Sequence, residues 1–324
     1  MAEMNERAGP HDVGGDLAGP IAREEREAAH WEKEAEAIRM LLADGSRRFF
    51  TTDETRRVQE ELDMAAYRSL PYYERWIHAF STLLFDKGVL TYAEVEAEET
   101  RLRDEGRHRV PADATAEDHD HDHAYQPDDD AGETELSPLR LRGIAVRERL
   151  IARGILSRAE IRAEIERMDG RGEHLGARIV ARAWADRAFR DRLAADGNAA
   201  AAELGIAPAA TRLTALFNTE RLHNLVVCTL CSCYPRTVLG RPPAWYKSLA
   251  YRSRAVREPR AVLAEFGLVL PDSVEVRVHD STAENRYLVV PARPSGTEGW
   301  SEQRLAGLVS RDAMIGVAEA RRPA

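Results

Sequence analysis

Cysteine is scarce in this chain: three residues in 324, and all three fall in the stretch "VVCTLCSCYP" as Cys228, Cys231 and Cys233. Three thiols cannot all pair within one chain, and their spacing is too tight for ordinary bridges, so a disulfide framework is excluded. Long apolar runs are missing too. None approaches the roughly 20 residues that span a bilayer, so no membrane helix is expected. The opening "MAEMNERAGPHDVGGD" lacks the apolar centre of a secretory signal, and a cytoplasmic protein is expected. Positive charge is in deficit, with 46 Lys and Arg against 55 Asp and Glu for a formal net charge of −9. That balance argues against a nucleic-acid partner, which needs a basic face. Hydrophobic residues nonetheless make up 44%, enough for a packed core, and the length suits two domains.

What is present divides into two ordered parts around a polar break. The first part is patterned as helices. "REEREAAHWEKEAEAIRMLLADG" reads as one long helix stopped at Gly45, and Thr51 with Glu54 forms a capping box opening "TTDETRRVQEELDMA". Pro71 suits the first turn of the next helix, in which Trp76, Phe80, Leu83 and Leu84 share a face and Gly88 marks the end. Thr91 and Glu94 cap another. The break, "HRVPADATAEDHDHDHAYQPDDDAGETELSP", is acidic and poor in large apolar residues, so it cannot bury enough surface to fold alone. After it, Ser157 and Glu160 form a third capping box and "GARIVARAWADRAF" is amphipathic. Beyond residue 222 the period changes to two in "SVEVRVHDS" and "RYLVVPAR", which predicts strands. The cysteines follow the buried run "LVV".

Cys228 and Cys231 make a CxxC pair. Zinc wants a second such pair or two histidines at fixed spacing, and neither follows. A thioredoxin-like redox pair leaves Cys233 surplus, and inert burial of three thiols so close together is the bland alternative. The sharper reading is a claw around one metal. Cys228, Cys231 and Cys233 bind through sulfur, and the backbone amides of Ser232 and Cys233 bind after losing their protons. Such strong donors suit a low-spin trivalent ion rather than zinc, and five protein donors leave one position open for water or substrate.

"VCTLCSC" resembles the metal claw of the nitrile hydratase alpha subunit and of the thiocyanate hydrolase gamma subunit. The resemblance runs on through "PPAWYKSLAYRSRAVREPRAVLAEFGL", "AENRYLVVPARPSGTEGW" and "RDAMIGVA". Thr229 after the first cysteine resembles the cobalt branch. The resemblance implies one low-spin Co(III) per chain, with Fe(III) as the alternative. It also makes Cys228 the axial thiolate, Cys231 a sulfinic acid and Cys233 a sulfenic acid. The first part is similar to the front of the nitrile hydratase beta subunit, through "HDVGGD", "FFTTDETRR" and "LPYYERW…LLFDKGVLT". On that match Arg56 takes the place of a guanidinium that grips the oxidised sulfurs, a task its planar fork suits. Tyr72 and Tyr73 match a tyrosine pair near the pocket.

The implied fold is α+β: a helical beta-subunit-like domain over 1–107, an acidic His-Asp linker over 108–136, and an alpha-type layered α/β domain with helices at its start over 137–324. Five features bear on substrate and support. Arg236 stands where alpha subunits usually carry Trp, and Arg57 follows Arg56; both resemble thiocyanate hydrolase. His119, His121 and His123 in "DHDHDH" resemble the opening of its gamma subunit and suit loose capture of a divalent ion. A glutamine expected near Ala209 is missing. The SH3-like barrel of the beta subunit is missing as well, which implies a separate partner chain, a hetero-oligomer and a cobalt-insertion accessory protein. The implied reaction adds water to a carbon–nitrogen triple bond. The Cys233 sulfenate serves as nucleophile or base, Ser232 and Tyr72 support it, and Arg236 selects between thiocyanate or a polar nitrile and an apolar one. The rival reading is a cobalt-delivering accessory protein without catalysis.

Overall fold

The structure, a computed structural model, describes residues 9, 12–111, 133–207, 211–230, 233–282 and 284–323. Cys231, Ser232, Ala209 and the histidines at 119, 121 and 123 lie outside the described residues. The mixed α+β expectation holds, with helices predominating and strands confined to small sheets. None of the described helices is long and apolar enough to cross a membrane. The chain forms two compact units. One contains residues 1–11 and 26–167, the other residues 12–25 and 168–324.

The first unit is helical: α1 (His30–Ala43), α2 (Thr52–Glu60), α3 (Met64–Ser69), α4 (Tyr72–Asp86), α5 (Tyr92–Asp104), α6 (Pro138–Ala152) and most of α7 (Arg158–Asp169). A three-residue pairing adds β1 (Arg109–Pro111) antiparallel to β2 (Glu133–Glu135). The three capping boxes form as the sequence predicts, at Thr51–Glu54, Thr91–Glu94 and Ser157–Glu160. Two elements differ from expectation. The first helix begins only at His30, because Glu32 turns back to accept from the Ala29 amide at 2.9 Å and is held there by Arg26. "TTDETRRVQEELDMA" splits into α2 and α3, because Asp63 caps a new start by accepting from the Ala66 amide at 2.8 Å. α6 packs on α4 and α5.

The second unit opens with α8 (Glu173–Ala185), α9 (Arg187–Ala195) and α10 (Gly197–Glu203). Its strands are β3 (Arg212–Phe217), β4 (Leu222–Val227), β5 (Glu275–Asp280) and β6 (Asn285–Val290). Between β4 and β5 run α11 (Arg236–Leu239), α12 (Ala244–Lys247), α13 (Leu249–Arg257) and α14 (Pro259–Glu265); α15 (Glu302–Ala306) and α16 (Arg311–Ile315) close the chain. β3 pairs parallel with β6 and β4 parallel with β5. Parallel strands need covered faces, and here Trp245, Tyr246, Tyr251, Ile179 and Met314 are among the side chains packed into that core. Gly316 ends α16 at φ +96°, and a Cβ there would lie 2.0 Å from the Asn224 carbonyl, so only glycine lets the chain end pass so close to β4.

Candidate metal centre

The cysteine loop leaves the C-terminal end of β4. Parallel pairing sets Val227 opposite Asp280, so the ends of β4 and β5 lie side by side and the Asp280 carboxylate meets the first claw residues. Asp280 accepts from the Thr229 amide at 3.0 Å and from the Thr229 hydroxyl. Burial raises the Asp280 carboxyl above its ordinary range, and the two Thr229 donors work against that rise.

Once the strand ends, its carbonyls lose their ladder partners and need others. Buried side chains supply them. Arg252, only 3% exposed on α13, donates Nε to the Cys228 carbonyl at 3.2 Å and Nη2 to the Thr229 carbonyl at 2.8 Å. The Tyr246 hydroxyl donates to the Cys233 carbonyl at 2.7 Å, and the Tyr251 hydroxyl to the Val226 carbonyl at 2.6 Å. Burial pushes both phenols well above the ordinary tyrosine range, so they stay neutral donors. Tyr234 stacks edge-on against Tyr246 at 5.1 Å and is pushed up likewise.

Cys228 is fully buried and Cys233 is 5% exposed. Each is followed by a peptide carbonyl that one of these donors holds, so the loop is fixed through its backbone. Among the described residues, no three His, Cys, Asp or Glu side chains gather as a metal site; the third cysteine is not one of those residues.

The other expected site residues are placed as follows. Arg236 opens α11, half-buried, and its charge acts on the Tyr234 phenol. In the first unit Arg56 lies on α2, half-buried, with Nη1 3.2 Å from Asp53, whereas Arg57 is exposed. The two adjacent arginines thus take different faces, as helical geometry requires. Tyr72 opens α4, half-buried, with its ring 5.1 Å from Tyr73 and 5.2 Å from Trp76. The residues that sequence reasoning missed are Arg252, Tyr246, Tyr251 and Asp280. A buried arginine amid "YKSLAYRSRAV" carries a faint signal, since Tyr251 to Ala255 are buried in succession. Asp280 carries none, because its role depends on strand register.

The family model "Nitrile hydratase, alpha chain" matches residues 137–318, and "Nitrile hydratase beta subunit, N-terminal" matches residues 7–123. The chain is 50% identical over 182 residues to the high-molecular weight cobalt-containing nitrile hydratase subunit alpha of Rhodococcus rhodochrous, covering 55% of this chain and 90% of that one. It is 43% identical over 196 residues to the thiocyanate hydrolase subunit gamma of Thiobacillus thioparus, covering 57% and 81%. Its front is 41% identical over 92 residues to the nitrile hydratase subunit beta of Pseudomonas putida, covering 27% and 41%. Among solved structures, an Fe-type nitrile hydratase double mutant from Comamonas testosteroni Ni1 aligns with TM-score 0.54 at 41% identity, covering 56% and 90%. A thiocyanate hydrolase mutant aligns with TM-score 0.55 at 40% identity, covering 59% and 93%. One chain therefore joins a beta-type front to an alpha-type remainder.

Proposed function

The chain belongs to the nitrile hydratase alpha-chain family, and we propose that it is the catalytic chain of a cobalt enzyme that adds water to a carbon–nitrogen triple bond. The observation that carries this is the loop after β4, where Cys228 and Cys233 are buried and the carbonyls around them are held by Arg252 and Tyr246. That donor set fits a thiophilic ion. Cys228, Cys231 and Cys233 would hold it through sulfur, with the Ser232 and Cys233 amides. When bound, a low-spin trivalent cobalt supplies Lewis acidity towards the triple bond.

The residues of the chain do the rest. Cys233, as its sulfenate, would take the proton of the attacking water and pass it to the nitrile nitrogen, or would attack the nitrile carbon and be freed when water takes its place there, with Ser232 and Tyr72 as supporting hydrogen-bonding groups. On the beta-type match, Arg56 is the guanidinium we propose for holding the oxidised sulfurs of Cys231 and Cys233. Arg252, Tyr246 and Asp280 act on the loop and not on the substrate: they fix its backbone, the support for which the sequence offered no glutamine. A nitrile would yield its amide, and thiocyanate would yield carbonyl sulfide and ammonia. Arg236 favours the second, because a half-buried cation attracts an anion. As partner we propose an SH3-like barrel chain in a hetero-oligomer, supplying the part of the beta subunit that the beta-type match, covering 41% of the Pseudomonas putida subunit, does not reach. A cobalt-insertion accessory protein completes the set.

The test is co-expression with such a barrel chain in cobalt medium, followed by assay of amide release from nitriles and of carbonyl sulfide release from thiocyanate. Turnover of either supports the reading. A fully cobalt-loaded assembly that turns over neither, and gives its cobalt up to chelator, favours the cobalt-delivering protein instead.

A further inference from the structure

Residues 12–25 belong by sequence to the beta-type front and by packing to the second unit. They form no helix or strand, yet they are anchored along their length. Val13 is 1% exposed and Ile21 7%. The Gly15 amide donates to the Ser253 carbonyl at 3.0 Å, Arg254 Nη1 to the Gly19 carbonyl at 3.0 Å, and the Ile21 amide to Glu265 at 3.0 Å. Arg311 pairs with Glu25.

The first of these anchors falls on the claw. The Val13 amide donates to the Thr229 carbonyl at 3.4 Å, the same oxygen that Arg252 reaches. A Cβ on Gly14 would stand 3.3 Å from Thr229 Cγ2, so the backbone of the arm is already in contact with that side chain. Thr229 is thus held from three directions: by Asp280 through its amide and hydroxyl, by Arg252 through its carbonyl, and by the arm through its carbonyl and methyl group. The first two lie within the alpha-type sequence. The third comes from the opposite end of the chain and has no secondary structure of its own to keep it in place.

We infer that residues 12–15 are a positioning segment of the claw, which presses Thr229 against Asp280 and Arg252 and so limits how readily the cysteines open to admit or release the metal. Val13 fastens the segment by its buried side chain, and Gly14 allows it to lie flush on Thr229. The part of this inference that concerns metal rests on the cobalt reading above; the part that concerns Thr229 does not.

The experiment therefore has two arms, both on the full chain. In the first, amide hydrogen exchange is followed on metal-free protein for peptides covering 226–230, 285–290 and 12–21. In Val13→Ser and Gly14→Val the 226–230 peptide is expected to exchange about tenfold faster, while the β6 peptide is unchanged. Leu17→Ser, on the same arm but 83% exposed, is expected to leave both at the parent rate. Val13→Ser removes a buried side chain, so if β6 loosens as well, Gly14→Val alone decides. A 12–21 peptide that exchanges faster beside a 226–230 peptide that does not would overturn the inference. In the second arm, uptake of cobalt by the metal-free parent and variants is followed, and it is expected to quicken by a similar factor in the first two variants only. Equal uptake rates would overturn the metal part. Protein that never takes cobalt, with faster exchange at 226–230, would sink the cobalt reading and leave the positioning role standing.

Discussion

The helices of the first unit and the cysteine loop of the second use arginine in different ways. In the first unit, guanidinium groups on helices whose mid-helix carbonyls are already satisfied turn chiefly to carboxylates and rings, and Arg75 and Arg153 reach carbonyls near helix ends, at Tyr67 and Val89. Arg147 pairs with Glu34 and Glu148, Arg142 with Glu99, and Arg153 with Glu94. Arg39 lies 4.4 Å over Trp76, Arg75 4.4 Å over Tyr67 and Arg140 4.7 Å over Trp31. In the second, Arg252 is buried and its fork is given to backbone carbonyls. The difference follows from local structure. A helix leaves no carbonyl open in its middle, whereas a loop leaving a buried strand opens several at once. The loop with the open carbonyls is the one that carries the cysteines.

If that contrast is right, Arg252→Leu should be the most damaging single change. The Cys228 carbonyl would lose its Arg252 donor and the Thr229 carbonyl would keep only the longer bond from the Val13 amide, at a cost of about 2 kcal/mol or more. Arg153→Leu in the first unit, an exposed pair, should cost under about 1 kcal/mol. Urea unfolding of both variants measures the gap, and equal midpoints would erase the distinction between the units. Next in size is Arg56→Lys. Folding should be retained and activity should drop at least about tenfold, because a point charge cannot bridge two sulfur oxygens as a fork does. Activity within twofold of the parent would make Arg56 one more surface arginine of the first unit.

Arg236→Trp sharpens the comparison within the second unit, where one arginine serves the backbone and another is proposed to serve the substrate. Thiocyanate turnover should weaken and that of neutral, apolar nitriles improve, a change of about tenfold or more in the ratio of kcat/KM values. The ratio is measured at matched cobalt content, and no change would turn Arg236 away from substrate. The smallest effect concerns pH. Burial lowers His223 and His279 below the ordinary histidine range. The His223 Nε2 donates to the Gly316 carbonyl at 2.7 Å and the His279 Nε2 to Asn224 Oδ1 at 2.8 Å. The folded state therefore binds a proton later than the unfolded state does. Stability is full above about pH 6.5 and falls below it, by up to about 1.4 kcal/mol per pH unit per histidine. His223→Gln should flatten that fall in thermal melts between pH 7 and 5; an unaltered slope would assign it to other groups, His78 in the first unit among them.

The helices of the first unit were legible because their signals are local. Thr51 with Glu54 and Ser157 with Glu160 act over three residues, and the structure keeps each as a cap. β4, β5 and β6 were legible from alternation and buried runs. β3 was not, because only its pairing with β6 makes "RLTALF" a strand. The claw was legible because metal ligation compresses its residues into one short motif. Its supports were not. Asp280 reaches Thr229 only through the β4–β5 register, and Arg252 only through the packing of α13 on β4. The arm around Val13 was legible as a family resemblance, but its contact with Thr229 depends on which unit it packs with.

The central claim is a cobalt centre built on Cys228, Cys231 and Cys233. Elemental analysis of protein purified from cobalt-supplemented cells, before and after prolonged dialysis against EDTA, tests it most directly. The account predicts one cobalt per chain that survives the chelator, as an inert trivalent ion should. Zinc at full occupancy after growth with cobalt, or cobalt removed entirely by EDTA, would contradict it.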